Sequence, residues 1–230
     1  MNSSLAALSS QLPAGVKLSV APVRDAMQEL CAEEQAMVEQ AIRSRQQEFA
    51  SARILAHQAL QQLGFPSTPL LANEDRSPQW PQEILGSLSH SRHWCAALIA
   101  QKTSSLLGLG VDVEDDRPLK QNLFAEILTG NEMDAMEKHL PLTEHSIFVL
   151  AVFGMKEAVY KAMHPLGNHG LGFHAMEVDG FAQGQRPKVK PLQDLERRLP
   201  AGCLLQLHHI RQNKTLLSIA LLLEPTMPTA

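Results

Sequence analysis

The 230-residue sequence predicts an α+β fold in which a helical region followed by strands occurs twice. Three features point to it. A breaker-poor stretch from about Arg24 to Leu63 has apolar residues at helical spacing, among them Phe49, Ile54, Leu55, Ala59 and Leu63. Two apolar strands follow between Trp94 and Glu114. A second apolar helical block then gives way to strands that run to Leu223.

Taken in order, Gly64, Pro66 and Pro69 close the first helical region, and the polar, proline-bounded Asn73–Pro81 reads as a loop. Strands are expected over Trp94–Ala100 and Leu106–Glu114. Pro118 breaks the chain, and two or three helices fill about Leu119 to Met163. The last begins near Thr143, an N-cap after Pro141, and its interior is apolar nearly all round, so it is central. Glycines 167, 170 and 172 make a loop. Strands follow at about Gly172–Val178, Pro187–Lys190, Leu204–Ile210 and Thr215–Leu223, the last pair joined by the hairpin Arg211–Lys214. Glu224–Ala230 is a frayed tail.

Composition narrows the function classes. With 44% hydrophobic residues, 19% charged residues and a formal charge of −4, the chain is globular and is no dedicated nucleic-acid binder. Met1–Ser10 lacks a signal-peptide pattern, and the apolar run Leu216–Leu223 is too short to span a bilayer. Cys31, Cys95 and Cys203 are scattered and odd in number, which argues against a disulfide frame or thiolate metal site and for a reduced, cytoplasmic setting.

One strand carries chemistry. Alternation puts Leu107, Leu109, Val111 and Val113 on one face, and Gly108, Gly110, Asp112 and Glu114 on the other. Two carboxylates roughly 7 Å apart near a core repel unless a cation joins them, and Mg²⁺ is the simplest candidate. A strand end running out to solvent is the competing reading. A second segment, Phe153 to Lys161, places Glu157 and Lys161 on one helix face. Lys156 lies about 100° round the helix and reaches a different part of any ligand. A third, Gly86–Ser91, offers short hydroxyl donors around His90, an anion-binding loop set before a strand. Arg45, Arg53, Arg76 and Lys102 form a basic set suited to phosphate. No Walker loop, GxSxG elbow, HExxH or complete dinucleotide fingerprint is present.

Together these segments resemble the 4'-phosphopantetheinyl transferases of the surfactin/enterobactin-synthase type. The motif G-(V/I)-D-(V/I/L)-E stands as Gly110-Val111-Asp112-Val113-Glu114. The motif (F/W)-x-x-K-E-(A/S)-x-x-K stands as Phe153 to Lys161, and S-(I/L)-S-H as Ser87-Leu88-Ser89-His90. Arg45 with Ala52-Arg53, and Arg76-Ser77-Pro78-Gln79-Trp80-Pro81, resemble two further segments of the enterobactin type. The resemblance runs from about residue 45 to 175.

It implies two similar α/β halves in a pseudo-twofold arrangement, here 1–105 and 106–230, with coenzyme A in the cleft between them. Asp112, Glu114 and Glu157 match magnesium-binding acids, and Glu157 and Lys161 the catalytic pair. Ser89 and His90 match contacts to coenzyme A phosphates, as by analogy do Arg53 and Arg76, with Lys156 and Lys161 also facing coenzyme A. The implied reaction moves the phosphopantetheine arm of coenzyme A to a serine of an apo acyl, aryl or peptidyl carrier protein and releases 3',5'-ADP. A monomer is expected, without membrane or nucleic-acid partner. A coenzyme A binder without transfer and a metal-dependent diphosphate hydrolase are the alternatives.

Overall fold

A computed structural model describes residues 2–66, 68–167 and 170–224. The expected C-terminal tail lies outside them from residue 225 onward. After α1 (Asn2–Ser9) and strand β1 (Lys17–Pro22), the chain forms the short α2 (Ala32–Ala36) and the long α3 (Arg43–Gln62). Strands β2 (Ile84–His90) and β3 (Trp94–Gln101) complete an antiparallel sheet of order β1-β3-β2. The second part runs through β4 (Leu106–Asp115), α4 (Phe124–Ile127), α5 (Gly130–His139) and α6 (Leu142–Met163). It continues with β5 (Met176–Asp179), β6 (Lys188–Pro191), α7 (Gln193–Arg198), β7 (Leu204–Gln212) and β8 (Thr215–Leu223). Its sheet has the order β4-β8-β7.

The two sheets share one topology. In each, a first strand leads to a long helix and then to a hairpin whose last strand takes the centre. Helix α3 packs on the first sheet through Ala56, Ala59, Leu60 and Ile99, and α6 packs on the second through a larger apolar cluster. Between the sheets lies a third core, joining Leu85, Ala96 and Leu98 to Leu109, Val111, Val113, Leu217 and Ile219. Strands β2 and β4 are tied by side chains, Val111 N–H donating to Ser87 Oγ at 3.1 Å and Val113 N–H to Ser89 Oγ at 3.2 Å. Among the described residues no helix is long and apolar enough to cross a membrane.

Several expectations shift. The helical stretch from Arg24 divides, because Leu30 and Ile42 are extended and Glu34 is buried against His57 and the Leu70 N–H. Tertiary contacts there override local propensity. Helix α6 starts at Leu142 with Pro141 as N-cap, so Thr143 is inside the helix. Gly86–Ser91 is no loop, since its residues through His90 form β2, paired with β3. A bulge between Leu106 and Gly108 breaks the alternation of β4, so Leu106 enters the inter-sheet core while Leu107 packs with the α6 cluster. The β7–β8 hairpin forms as expected, with Asn213 and Lys214 both at positive φ.

Candidate active site

The site is built where α6 crosses β4, and two glycines let it do so. A Cβ on Gly108 would fall 2.0 Å from the Ala162 carbonyl oxygen, and one on Gly110 2.0 Å from that of Ala158. Bare backbone at both positions brings the helix down onto the strand. Lys161 then reaches across and donates to Asp112 Oδ1 at 2.6 Å and to the Val111 carbonyl at 3.1 Å. From the other side the Ser89 hydroxyl donates to the same Oδ1 at 2.9 Å. Asp112 is buried, and its second oxygen, Oδ2, has no partner.

Glu114 and Glu157 share this crowded field. Burial, then the Asp112 charge, pushes Glu114 up to about 7, against the opposing pull of Arg117 and Lys161. Burial also raises Glu157; Lys161 opposes that rise and Asp112 adds to it. Among the described residues no three acids, histidines or cysteines already stand as a metal cage. The donor set nevertheless fits a hard cation that brings phosphate oxygens with it: an orphaned buried carboxylate oxygen and two acids whose charged forms lack compensation.

That imbalance has a measurable consequence. As pH rises from the usual carboxylate range toward about 7, folded Glu114 keeps a proton that the unfolded chain has released, so it erodes stability through that window. Without divalent cations, Glu114→Gln should therefore stabilise the protein against urea above about pH 7 and give no gain near about pH 4. A gain of equal size at both ends would refute the raised acid.

The sequence comparisons bear on the same residues. Residues 33–100 match the profile of the 4'-phosphopantetheinyl transferase N-terminal domain, and residues 108–209 that of the 4'-phosphopantetheinyl transferase superfamily. The chain belongs to the 4'-phosphopantetheinyl transferase superfamily. Among its relatives, the 4'-phosphopantetheinyl transferase Svp of Streptomyces mobaraensis is 32% identical over 146 residues, covering 64% of this chain and 59% of Svp. The 4'-phosphopantetheinyl transferase PptT of Mycobacterium tuberculosis is also 32% identical over 146 residues, covering 64% and 63%. Enterobactin synthase component D of Salmonella typhi is 32% identical over 123 residues, covering 52% and 49%. The aligned region thus spans about three-fifths of the length of the first two relatives.

Not every residue of the superfamily motifs faces the site. Lys156, expected to face coenzyme A, has its ammonium in the core, donating to Glu132 Oε2 at 2.7 Å and the Ile127 carbonyl at 2.8 Å. The helix turn that aims Glu157 at the groove aims Lys156 at α5. The Ser89 hydroxyl, expected to meet phosphate, is already held between Asp112 and the Val113 N–H. His90 sits against Arg45 and lies 3.3 Å from Glu48 Oε2; burial, then Arg45 and Lys161, pulls it down to about 4, so it is neutral. Arg53 is buried beneath Phe49, and its Nε and Nη1 have no partner. Arg76, at φ 68° in the Asn73–Ser77 turn, is on the wall of a cavity of about 510 Å³.

That cavity also meets Trp80, Lys102, Tyr160, Lys161 and His164. The Trp80 indole lies directly on β2, where a Cβ on Gly86 would come within 2.3 Å of the ring. A smaller slot of about 200 Å³ adjoins Glu157 and Tyr160 and is walled by Leu171, Phe173 and Met176. A third opening of about 570 Å³ meets His90, Glu114 and Arg117. Sequence reasoning gave Tyr160 no role and read Gly86 only as the start of an anion-binding loop, without its contact to Trp80. Tyr160 had a signal, being the sole tyrosine, one residue before Lys161. Gly86 had none, since the Trp80 contact is set by tertiary packing.

Proposed function

We propose that this protein transfers the 4'-phosphopantetheine arm of coenzyme A to a serine of an apo carrier protein, releasing 3',5'-ADP. The observation that carries this reading is the meeting of Asp112, Glu114, Glu157 and Lys161, with cavities that reach Lys161, Glu157 and Glu114, in a chain of this superfamily. Residues 1–105 and 106–230 are its two halves, and coenzyme A lies where they meet. The cavity with Arg76, Trp80 and Lys102 suits the nucleotide end, and the apolar slot beside Tyr160 suits the pantetheine arm. Arg53, with two orphaned buried donors, and Arg45 supply cations for phosphate. The opening at Glu114 is left for the carrier serine. In this reading the protein acts as a monomer in the cytoplasm.

Mg²⁺, held by Asp112, Glu114 and Glu157, would supply charge neutralisation for the diphosphate. Glu157, whose proton affinity burial raises, takes the serine proton as the serine oxygen bonds to the phosphorus of the arm. The phosphorus–oxygen bond to the nucleotide breaks, and Lys161 faces the departing phosphate. An apo acyl, aryl or peptidyl carrier incubated with the protein, coenzyme A and Mg²⁺ should gain the mass of one phosphopantetheine while 3',5'-ADP appears. Coenzyme A cleavage that needs no carrier would favour a hydrolase, and coenzyme A binding with no turnover on any carrier would favour a binding protein.

A further inference from the structure

The cavity of Arg76 and Lys161 is bordered by a turn that the end of α6 holds in place. The chain from 71 to 79 doubles back on itself. Ala72 bridges Pro78, and the Gln79 N–H and Nε2 donate to the Leu71 and Ala72 carbonyls. At the tip the Arg76 N–H donates to the Asn73 carbonyl at 2.9 Å, with Arg76 at φ 68°. That left-handed conformation is costly for a residue with a Cβ. Asp75 fastens the tip. Its Oδ1 accepts from the Ser77 N–H at 2.9 Å and from the Ser77 hydroxyl at 2.6 Å. Its Oδ2 lies 2.6 Å from Nε2 of His164, the residue that caps the C-terminus of α6.

The bonds from Ser77, then that from His164, hold the Asp75 carboxyl well below the usual carboxylate range, so it is ionised and can only accept. His164 Nε2 therefore carries the hydrogen, whether its ring is charged or neutral. Both side chains are partly exposed, and such a pair contributes little to overall stability. Its effect is geometric. A strained residue persists where its surroundings over-determine it, and Arg76 adjoins the residue that His164 holds. His164 keeps helical backbone angles and follows Lys161 by three residues, so the two share a face of the last turn. Lys161 is committed to Asp112 at 2.6 Å, and His164 to the turn that carries Arg76. One helix end thus sets the place of two cations on the wall of one cavity.

We infer that Asp75 and His164 are positioning residues for Arg76, tying its turn to the end of α6 so that Arg76 and Lys161 meet a ligand in fixed relation. Their value to binding rests on the proposed transfer reading, in which both cations face phosphates of coenzyme A. The tie itself does not. Amide hydrogen exchange in the free full chain reads it without a ligand. His164→Leu should speed exchange of the Arg76 and Ser77 amides by about tenfold, while His164→Gln, whose amide nitrogen replaces the Nε2 donor, stays near wild type. Unchanged exchange in His164→Leu, or equal acceleration in both variants, would overturn the inference. Calorimetry with coenzyme A gives the second readout. His164→Leu should weaken binding by about tenfold and His164→Gln by less than about twofold, and His164→Leu should add no further loss to Arg76→Ala. In transfer assays the loss should fall in KM for coenzyme A, with kcat little changed. Thermal unfolding confirms that each variant is folded. Wild-type affinity in His164→Leu, or a full further loss on top of Arg76→Ala, would overturn the positioning role. Failure of the wild type to bind coenzyme A would instead count against the transfer reading, with amide exchange still deciding the tie.

Discussion

Lys156→Met should destabilise the protein by about 3–5 kcal/mol, because it leaves a buried carboxylate without its cation. Lys156 and Glu132 are among the most enclosed charges in the molecule, with side chains 0% and 2% exposed. Glu132 is fully engaged. Oε2 accepts from Lys156 and the Thr129 N–H, and Oε1 accepts from the Val178 N–H at 2.6 Å. The pair therefore bolts α6 to α5 and to β5, and it holds the helix that presents Glu157 and Lys161. Methionine keeps the stem's volume and removes the charge, so packing loss contributes little to the result. Adding Glu132→Gln should bring the protein back toward wild type, since no unpaired charge is then buried. Urea unfolding of the two variants tests this. A Lys156→Met protein within about 1 kcal/mol of wild type would mean that the ammonium is not committed to Glu132.

The fate of Lys156 shows where sequence reading stops. Its offset from Glu157 round the helix was legible, although it was read as reaching a different part of the ligand. The partner was not, because Glu132 lies 24 residues upstream on another helix. The Thr129-x-x-Glu132 capping box gives Glu132 a complete local explanation and hides its second use. Strand β4 was legible from Gly108 to Glu114, since alternation alone separates its two faces. Its bulge at Leu107 was not, since one inserted residue leaves no compositional mark. Strand β2 was missed because Gly86, Ser87 and Ser89 are poor strand formers. What holds them extended is β3 beside them and the serine bonds to Val111 and Val113, all non-local. Within each segment the acids and Lys161 were legible from type and spacing, while the meeting of the two segments was only what the resemblance implied. The facing of Asp112 and Ser218 was not, as the two lie about a hundred residues apart and meet only through sheet register.

Gly110→Val should prevent stable folding. By strand propensity the change is favourable, since valine suits a buried strand and glycine weakens one. Packing decides the other way. The first carbon of the new side chain would stand 2.0 Å from the Ala158 carbonyl oxygen and 2.7 Å from the Ala162 nitrogen. Both are backbone atoms of a buried helix, so no rotamer change relieves the overlap. Helix α6 must lift from β4, opening the apolar cluster beneath it and drawing Lys161 away from Asp112. Overpacking in a rigid core costs about 1–3 kcal/mol and more where backbone must move, so a loss above about 3 kcal/mol is expected. Gly110→Ala should suffer nearly as much, because the clash begins at Cβ. Gly130→Ala is the control: a Cβ there meets nothing within 4 Å, and its place in α5 makes alanine neutral or stabilising. Circular dichroism and urea unfolding of the three variants test whether the glycine strip serves the helix or a bound ligand. Folded, wild-type-like Gly110→Val protein that had lost only coenzyme A affinity would assign the strip to the ligand; loss of the fold assigns it to the helix.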